Sequence, residues 1–388
     1  MSIVIVGASL AGLRAAEAVR QAGFSGSLTV IGDEPYRPYD RVPLSKHVLS
    51  GRLPAEHCTL ASLHPIDARW LLGRAVVGLD RRASQVVLGD GDRIGYRRML
   101  IATGARARPW PGPVPPQVVT LRSLDDASAL RALLPSCRRL VVVGGGVMGC
   151  EIASRAVEMG VRTTLVERSA TPMGALGRPI GHLLAQRMST QVDMRLSNRV
   201  VEWMVKDGHL AGARLENEVV EADVAVLALG VLRNVEWLHG SGLPDAVCDE
   251  YCRVLGPDGD PQDDILAAGD VTGAAEHWGH AVAQAAVAGA NLVHPRSQVY
   301  HPFSTWWTSQ FGLSLKVVGS PQQATEVVLA QGSLEEYRFI ALYGRAGKTV
   351  AVLSCNHARW LPFYEALLGT PFPPPGGGPE RPEVMTAL

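Results

Sequence analysis

The sequence predicts an α/β fold with two doubly wound domains, followed by a small α+β domain at the carboxyl end. A strand, a glycine turn, a helix and a second strand follow one another near the N-terminus, and the same order recurs from about residue 140. The chain has 388 residues, which is more than one compact core usually holds. The composition changes near Pro295, after which Trp306 and Trp307 open a segment with strand-like runs.

The first unit begins with the apolar run Ser2–Val6, which ends at Gly7. Apolar residues then recur at helical spacing from Ala11 to Val19, and a second apolar run covers residues 28–31. This order is typical of parallel strands that are joined by a crossover helix. In the second unit, strands are predicted at 140–143 and 163–166.

The remaining segments give simpler signals. Residues 76–80 and 85–88 are predicted to form a hairpin, with residues 89–91 (Gly-Asp-Gly) as its turn. A run of prolines between residues 109 and 116 indicates a stiff domain crossing. Strands are predicted at 315–318, 337–342 and 349–354, and the tail, 371–388, is predicted to be disordered because it is rich in Pro and Gly.

Charge and cysteine content argue against several classes of function. The chain has 37 basic and 37 acidic residues, so nothing indicates nucleic acid or a membrane surface as a partner. Six cysteines are scattered without a CxxC pair, so no zinc or other metal site and no dithiol redox motif is predicted. Neither a signal peptide nor an apolar run of about 18 residues is seen, and a cytoplasmic location is expected.

The second glycine turn is a complete GxGxxG motif that follows a strand and opens a helix. Its glycines permit a tight turn and close approach of the backbone to a pyrophosphate, which the amides of the helix N-terminus then bind. Glu167 ends the next strand, where a carboxylate can accept hydrogen bonds from both ribose hydroxyls. The predicted contacts of this dinucleotide site are Gly144, Gly146, Val147, Met148, Gly149 and Glu167.

The first glycine turn is an imperfect copy, because Ser9 replaces the middle glycine. Serine is small, so close approach of a pyrophosphate remains possible. Asp33 and Glu34 follow the second strand, and either can hold an adenosine ribose. The predicted contacts of this first site are Gly7, Ser9, Leu10, Ala11, Gly12, Asp33 and Glu34.

Two further strand ends fit a flavin. The apolar run 100–104 ends in Ala102, Thr103 and Gly104, and the run 265–270 ends in Gly269 and Asp270. A carboxylate at such a strand end can bind the ribityl hydroxyls of a flavin, while the glycine lets the cofactor lie against the backbone. Together with the two glycine turns, these residues predict a chain that binds two dinucleotides.

The chain resembles the FAD-dependent ferredoxin reductases of bacterial aromatic-ring dioxygenase and cytochrome P450 systems. This family takes in rubredoxin reductases and resembles apoptosis-inducing factor. The most specific stretch is 38–46, which reads PYDRVPLSK where the family has PYDRPPLSK. Further motifs lie at 144–151, at 229–234, at 268–271, at 276–278 and at 306–310.

The resemblance implies roles for three residues of the central chemistry. Arg41 would contact the FAD diphosphate. Lys46 would lie beside the isoalloxazine and stabilise negative charge on the reduced ring. Glu151 would lie near the nicotinamide and pair with Lys46. Without the resemblance, Lys46 would be interpreted as a solvated surface lysine. Glu151 would be interpreted as an acid in the first turn of a helix, where the helix macrodipole favours a negative charge.

The resemblance also implies where a partner binds. Trp278 and Trp307 would stand near the flavin, where the ferredoxin docks, with Trp307 among the catalytic residues. His277 and Gly230 belong to family motifs and complete the predicted cofactor contacts. Trp306 is better explained as a core or interdomain aromatic residue.

The implied fold is like that of glutathione reductase and has three domains. The FAD-binding domain would comprise residues 1–108 and 234–298, the NAD-binding domain 109–233, and the C-terminal domain 299–370. The implied activity is hydride transfer from NADH to FAD, followed by single-electron transfer to a ferredoxin that serves an oxygenase.

The chain departs from the family pattern at three points. Val42 replaces the first proline of a pair, Ser309 replaces an aspartate near the docking face, and the loop before Glu276 is shorter than in the family. A disulfide reductase is disfavoured because residues 36–50 contain no cysteine. Two alternatives remain open: an NADH oxidase with another acceptor, and a redox-responsive flavoprotein that acts as an interaction protein.

Overall fold

The computed structural model describes residues 2–274, 277–302, 304–372 and 383–384. Its α-helices are α1 (Leu10–Gln21), α2 (Leu124–Leu133), α3 (Val147–Glu158), α4 (Gly177–Ser189), α5 (Trp278–Val293) and α6 (Leu361–Glu365). Its strands are β1 (Ser2–Val6), β2 (Ser27–Ile31), β3 (Arg69–Leu71), β4 (Val76–Asp80), β5 (Gln85–Leu88), β6 (Arg93–Gly95), β7 (Arg98–Ile101), β8 (Ala105–Ala107), β9 (Val118–Thr120), β10 (Arg139–Val143), β11 (Arg162–Val166), β12 (Asp193–Arg195), β13 (Val200–Lys206), β14 (His209–Leu215), β15 (Val219–Glu221), β16 (Val224–Leu227), β17 (Val231–Arg233), β18 (Arg253–Leu255), β19 (Pro261–Ala267), β20 (Thr305–Gln310), β21 (Leu313–Gly319), β22 (Glu326–Ser333), β23 (Arg338–Arg345), β24 (Lys348–Cys355) and β25 (Glu383–Val384).

The chain divides into two compact units, each built from separate stretches of sequence. Unit 1 consists of Met1–Asp40, Glu56–Arg106 and Val231–Ser304. Unit 2 consists of Arg41–Ala55, Ala107–Gly230 and Thr305–Leu388. Unit 2 therefore combines the predicted NAD-binding segment with the C-terminal segment and the short stretch that contains Lys46.

Unit 1 is built on a six-stranded sheet in the order β18-β19-β7-β1-β2-β3. Neighbours from β19 to β3 pair in parallel, as the apolar runs predict for a doubly wound fold. Helices α1 and α5 pack so closely on one another that a Cβ on Gly289 would lie 2.6 Å from the carbonyl oxygen of Ala15. The apolar core beside them contains Ile3, Ile5 and Leu100, which are fully buried.

Unit 2 contains a second parallel sheet in the order β12-β11-β10-β16-β9. Its carboxyl segment forms an antiparallel sheet in the order β20-β21-β24-β23-β22-β25. Helix α6 packs on this sheet, where Tyr364 joins the core residues Ile340 and Val352. The predicted fold class, two doubly wound sheets with a small α+β portion, is confirmed.

The structure corrects the predicted hairpin turn. Strands β4 and β5 pair antiparallel as expected, but residues 81–84 connect them, whereas residues 89–91 lead from β5 into β6. The Asp80 carboxylate accepts a hydrogen bond from the amide of Ala83 at 3.1 Å, and Ser84 has a φ of 51°. A side chain that bonds to the following backbone thus closes the turn without a glycine.

The C-terminal segment contains more strand than predicted. Strands β20 and β22 were not expected, and β23 begins at Arg338 because Tyr337 lies in a turn with a φ of 50°. The tail predicted to be disordered lies outside the described residues, except for 371–372 and for β25, which pairs with β22. No helix in the described ranges is long and apolar enough to cross a membrane.

Candidate active site

The predicted FAD contacts of unit 1 meet at one edge of its parallel sheet. The first glycine turn follows β1, Asp33 and Glu34 follow β2, Ala102 begins the segment after β7, and Gly269 comes two residues after β19. Carboxyl ends of parallel strands lie at the same edge, which is where ligands of doubly wound sheets bind. Thr103 and Gly104 continue from Ala102, and Asp270 begins the short helical turn Asp270–Thr272.

The glycines of the first turn are required by close backbone packing. Gly7 has a φ of 121°, and a Cβ there would lie 2.0 Å from the carbonyl oxygen of Ala102. A Cβ on Gly12 would lie 1.9 Å from the carbonyl oxygen of Gly7. Ser9 precedes α1 in an extended conformation without a side-chain capping bond, so Leu10 and Ala11 begin the helix with amides that a phosphate can use.

The two acids after β2 have different surroundings. Glu34 is half-buried, and its Oε2 accepts a hydrogen bond from the hydroxyl of Tyr39 at 2.5 Å. Asp33 is exposed, and its Oδ1 accepts from the amide of Glu34 at 3.0 Å. Both carboxylates therefore lie at the strand end that the sequence predicted.

Two predicted site residues, His277 and Trp278, lie at the start of α5. His277 precedes the helix and Trp278 is its first residue, with 37% of its surface exposed. Burial lowers the pKa of His277, and the negative charge of Asp270 opposes this effect. Glu276 lies outside the described residues, as does part of the shortened loop before it.

The second glycine turn has the same geometry in unit 2. Gly144 has a φ of 107°, and a Cβ there would lie 2.3 Å from the carbonyl oxygen of Ala228. A Cβ on Gly149 would lie 1.9 Å from the carbonyl oxygen of Gly144. By contrast, a Cβ on Gly146 would meet no heavy atom within 4 Å. The first and last glycines serve the packing of the turn, and Gly146 leaves its outer side open where helix α3 starts with Val147 and Met148.

Glu167 lies at the end of β11 and is held beside this turn. Its Oε2 accepts from the amide of Gly145 at 2.5 Å, and its Oε1 accepts from the amide of Ser169 at 2.6 Å. Gly230 follows β16 at the same edge, with a φ of 83°, and a Cβ there would meet no heavy atom within 4 Å. The second dinucleotide site thus has its turn, its acid and its open edge together.

A buried ion pair joins Lys46 and Glu151 in unit 2. The Nζ of Lys46 lies 2.7 Å from Oε2 of Glu151, and these side chains are 13% and 5% exposed. The Ser45 hydroxyl donates to the same Oε2 at 2.5 Å, and the Thr308 hydroxyl donates to Oε1 at 2.6 Å. The carboxylate therefore receives one ammonium and two hydroxyl donors, which is the saturation that a buried charge needs.

This cluster corrects two interpretations made without the resemblance. Lys46 is not a solvated surface lysine, because the one-turn helix Leu44–Val48 directs it onto Glu151. Glu151 is not a first-turn acid: α3 begins at Val147 and has no acid in its first turn. The charge of Glu151 is balanced by Lys46 rather than by the amides of the helix terminus.

Ser45 and Thr308, the two hydroxyl donors to Glu151, were not predicted from the sequence. Thr308 lies on β20, where alternate residues face opposite sides of the strand. Thr308 and Gln310 are buried, whereas Trp307 is 44% exposed and Ser309 is also exposed. A strand prediction for 305–310 would have separated an inward threonine from an outward tryptophan. Trp306, expected to be a core or interdomain residue, is half-buried.

Arg41, predicted to contact the FAD diphosphate, lies in unit 2. Nη1 of Arg41 donates to the carbonyl oxygen of Arg122 at 2.9 Å within unit 2. All six cysteines are free thiols. Burial raises the pKa of Cys137 to about 11 and that of Cys355 to about 12. It also raises the pKa of Cys58, so none of these three thiols has the lowered pKa of a redox-active cysteine.

The sequence matches two protein-family models. A model described as pyridine nucleotide-disulphide oxidoreductase matches residues 1–285, and one described as reductase C-terminal matches residues 305–374. Rhodocoxin reductase of Rhodococcus erythropolis is 34% identical, over 96% of this chain and 90% of its own. The 3-phenylpropionate/cinnamic acid dioxygenase ferredoxin–NAD(+) reductase component of Photorhabdus laumondii is 30% identical, over 95% and 96%.

A solved structure shows the same architecture. The covalent putidaredoxin reductase–putidaredoxin complex contains a chain that matches with a TM-score of 0.85 and 26% identity, over 94% of this chain and 92% of that one. The family model covers most of the sequence, including both glycine turns, and the resemblance to ferredoxin reductases is confirmed. This chain therefore belongs to the pyridine nucleotide-disulphide oxidoreductase family.

Proposed function

We propose that this chain is an NADH-dependent ferredoxin reductase that holds FAD and supplies single electrons to a ferredoxin serving an oxygenase. The observation that carries the proposal is one chain with two dinucleotide-type strand edges and a buried Lys46–Glu151 pair, with no cysteine in residues 36–50, where a disulfide reductase would need one. The names of its relatives favour this activity, since one is a dioxygenase ferredoxin–NAD(+) reductase component and another is a reductase solved in complex with putidaredoxin.

FAD is assigned to the edge of unit 1. The amides that follow Gly7 would bind its diphosphate, Glu34 or Asp33 its adenosine ribose, and Asp270 its ribityl hydroxyls. The close packing of Gly7 and Gly12 fits this role, because it leaves the amide side of the turn clear of side chains. When bound, FAD accepts two electrons from NADH and releases them singly, as an iron–sulfur carrier requires.

NADH is assigned to the edge of unit 2. The open side of Gly146 admits the pyrophosphate, and Glu167 would accept hydrogen bonds from the ribose hydroxyls. Two backbone amides hold the Glu167 carboxylate in place, so it would repel the 2′-phosphate of NADPH. Arg168 is exposed beside it and is a counter-argument, because an arginine there can accommodate the 2′-phosphate of NADPH.

Lys46 and Glu151 are proposed as the charged pair of the reaction centre. Lys46 supplies a positive charge that favours the reduced cofactor, and Glu151 fixes the ammonium through the contact at 2.7 Å. Trp307 is proposed as a partner contact, because it is exposed and lies in the stretch, 306–310, that resembles the docking surface of the family. Trp278, at the start of α5, and the contact of Arg41 with the FAD diphosphate belong to the same proposal.

The predicted domains form part of this proposal. FAD would be bound by residues 1–108 and 234–298, NADH by 109–233, and the partner would be met by 299–370. We also propose a cytoplasmic location, because six free thiols in one chain suit a reducing compartment.

The experiment is NADH-driven reduction of cytochrome c, with and without a panel of ferredoxins. The purified protein is expected to be yellow and to release FAD when it is denatured. At least one ferredoxin should raise the rate above the background measured with oxygen alone. Rising salt should weaken this coupling, because such contacts are small and electrostatically steered. A chain that does not take up FAD contradicts the cofactor assignment, and a rate that no ferredoxin raises contradicts the partner assignment alone.

A further inference from the structure

We propose that Gln284 is a positioning residue for FAD, which fixes the turn that presents Asp270. This inference rests on the proposed function and deepens it. Gln284 lies on α5, and only 2% of its surface is exposed. Its Oε1 accepts from the amide of Gly269 at 2.8 Å and from the hydroxyl of Thr272 at 3.3 Å.

The Gly269 turn needs a partner from outside its own strand. Strand β19 ends at Ala267, and Gly269 has a φ of 85° and a ψ of −161°, a conformation that is almost restricted to glycine. Its buried amide therefore bonds to a side chain, because a buried N–H without an acceptor is costly. The Thr272 hydroxyl has one proton, which Oε1 of Gln284 shares with the carbonyl oxygen of Gly269; the Gly269 contact is the shorter of the two, at 2.9 Å.

The thiol of Cys248 supports the orientation of the Gln284 amide. Its Nε2 donates to Sγ of Cys248 at 3.5 Å, and the thiol of Cys252 bonds separately to the backbone carbonyl of Gln284 at 3.8 Å. With the amide reversed, the NH₂ group would face the Gly269 amide, which is itself a donor. The observed orientation therefore gives the Gly269 N–H its acceptor.

The consequence reaches both halves of the proposed FAD site in unit 1. A Cβ on Gly269 would lie 3.1 Å from Cβ of Ala11, in the first turn of α1. The turn before Asp270 therefore lies against the helix that starts at the first glycine turn. By holding the Gly269 amide, Gln284 sets the gap between the pyrophosphate-binding amides and the carboxylate that would hold the ribityl chain.

The test measures FAD binding to the full-length apoprotein of two variants, Gln284→Met and Gln284→Asn. The quenching of flavin fluorescence reports the binding. Methionine has a similar length but no oxygen acceptor. Asparagine keeps the amide but is one methylene too short to reach Gly269. Asn291→Leu is the matched control, because Asn291 lies on the same helix, is 3% exposed and bonds to Tyr251 and Gln298, away from the turn.

Each Gln284 variant is expected to raise the FAD dissociation constant at least about tenfold, and to alter the visible circular dichroism of the flavin that remains bound. Asn291→Leu is expected to lower the melting temperature of the apoprotein yet to bind FAD within about twofold of the original chain. If Gln284→Met does not fold, Gln284→Asn carries the same prediction. Unchanged FAD affinity in a folded Gln284 variant, or an equal loss in Asn291→Leu, overturns the proposal. If the unmodified chain fails to bind FAD, the proposed function itself is wrong.

Discussion

The ion pair between Lys46 and Glu151 makes the sharpest prediction about stability and activity. Lys46→Met removes the ammonium and leaves a carboxylate, 5% exposed, with only the hydroxyls of Ser45 and Thr308 as donors. Glu151→Gln leaves the ammonium with the carbonyl oxygen of Val42, which lies 3.4 Å away. Each single change therefore leaves one buried charge without its partner.

The size of the effect follows from this burial. Removing one partner of a buried pair costs about 3–5 kcal/mol, because the remaining charge has no compensation. The double variant Lys46→Met/Glu151→Gln contains neither charge. Its free energy of unfolding should therefore fall by about 3 kcal/mol less than the sum of the two single losses. This difference is the coupling energy of the pair.

The assay is urea unfolding of the full-length apoprotein, followed by circular dichroism, for the two single variants and the double variant. An exposed pair in the same unit serves as the control: Arg214 and Glu202 lie 2.6 Å apart, with side chains 45% and 57% exposed. The same cycle there should give at most about 1 kcal/mol. In the FAD-loaded protein, Lys46→Met should also slow the reduction of flavin by NADH.

Additive losses at Lys46 and Glu151, with a coupling below about 0.5 kcal/mol, would refute the buried pair. A normal rate of flavin reduction in Lys46→Met would refute only its assigned role in the reaction. The two readouts thus separate the structural claim from the chemical one.

Three further predictions concern the partner, the coenzyme and acid stability. Trp307→Ala should raise the KM for ferredoxin without slowing flavin reduction, whereas Trp360→Ala, at a tryptophan that is 38% exposed, should change neither. The unmodified chain should have a higher kcat/KM with NADH than with NADPH, and Glu167→Gln should narrow this ratio; equal use of both coenzymes would contradict the role of Glu167. Burial lowers the pKa of His280 below 6.5, so the unfolded chain takes up this proton first and stability is lost as pH falls below that value. His280→Gln should reduce the loss of melting temperature between about pH 7 and about pH 5, and an unchanged slope would count against this cause.

Local sequence signals were sufficient for the doubly wound sheets. The runs around Gly7 and Gly144 combine a strand period, a glycine turn and a helix period within a few residues, and each turn forms with the expected close contacts. The positions of Glu167 and Asp270 after strands could be predicted for the same reason, because a strand end can be located from its own sequence. Their proposed ligands could not be distinguished from one another by the glycine pattern alone.

Contacts between distant segments could not be predicted in this way. Nothing around Thr308 indicates that its hydroxyl donates to Glu151, since the two residues are brought together only when β20 packs on α3. Gln284 was missed for a similar reason: it lies in an apolar helix, and its acceptor role depends on where β19 ends. The hairpin after β4 failed differently, because Asp80 closed its turn where glycines were available farther along the chain.

The Glu151 carboxylate limits how this protein can be recombined. Its three donors come from two segments that are remote in sequence, the one-turn helix Leu44–Val48 and strand β20, and it lies itself on α3. A chimaera that exchanged only residues 107–230 with a relative would replace the acceptor but keep the donors. Coenzyme-binding segments should therefore be exchangeable only between proteins that match at all three places, although the sheet itself is continuous within the exchanged block.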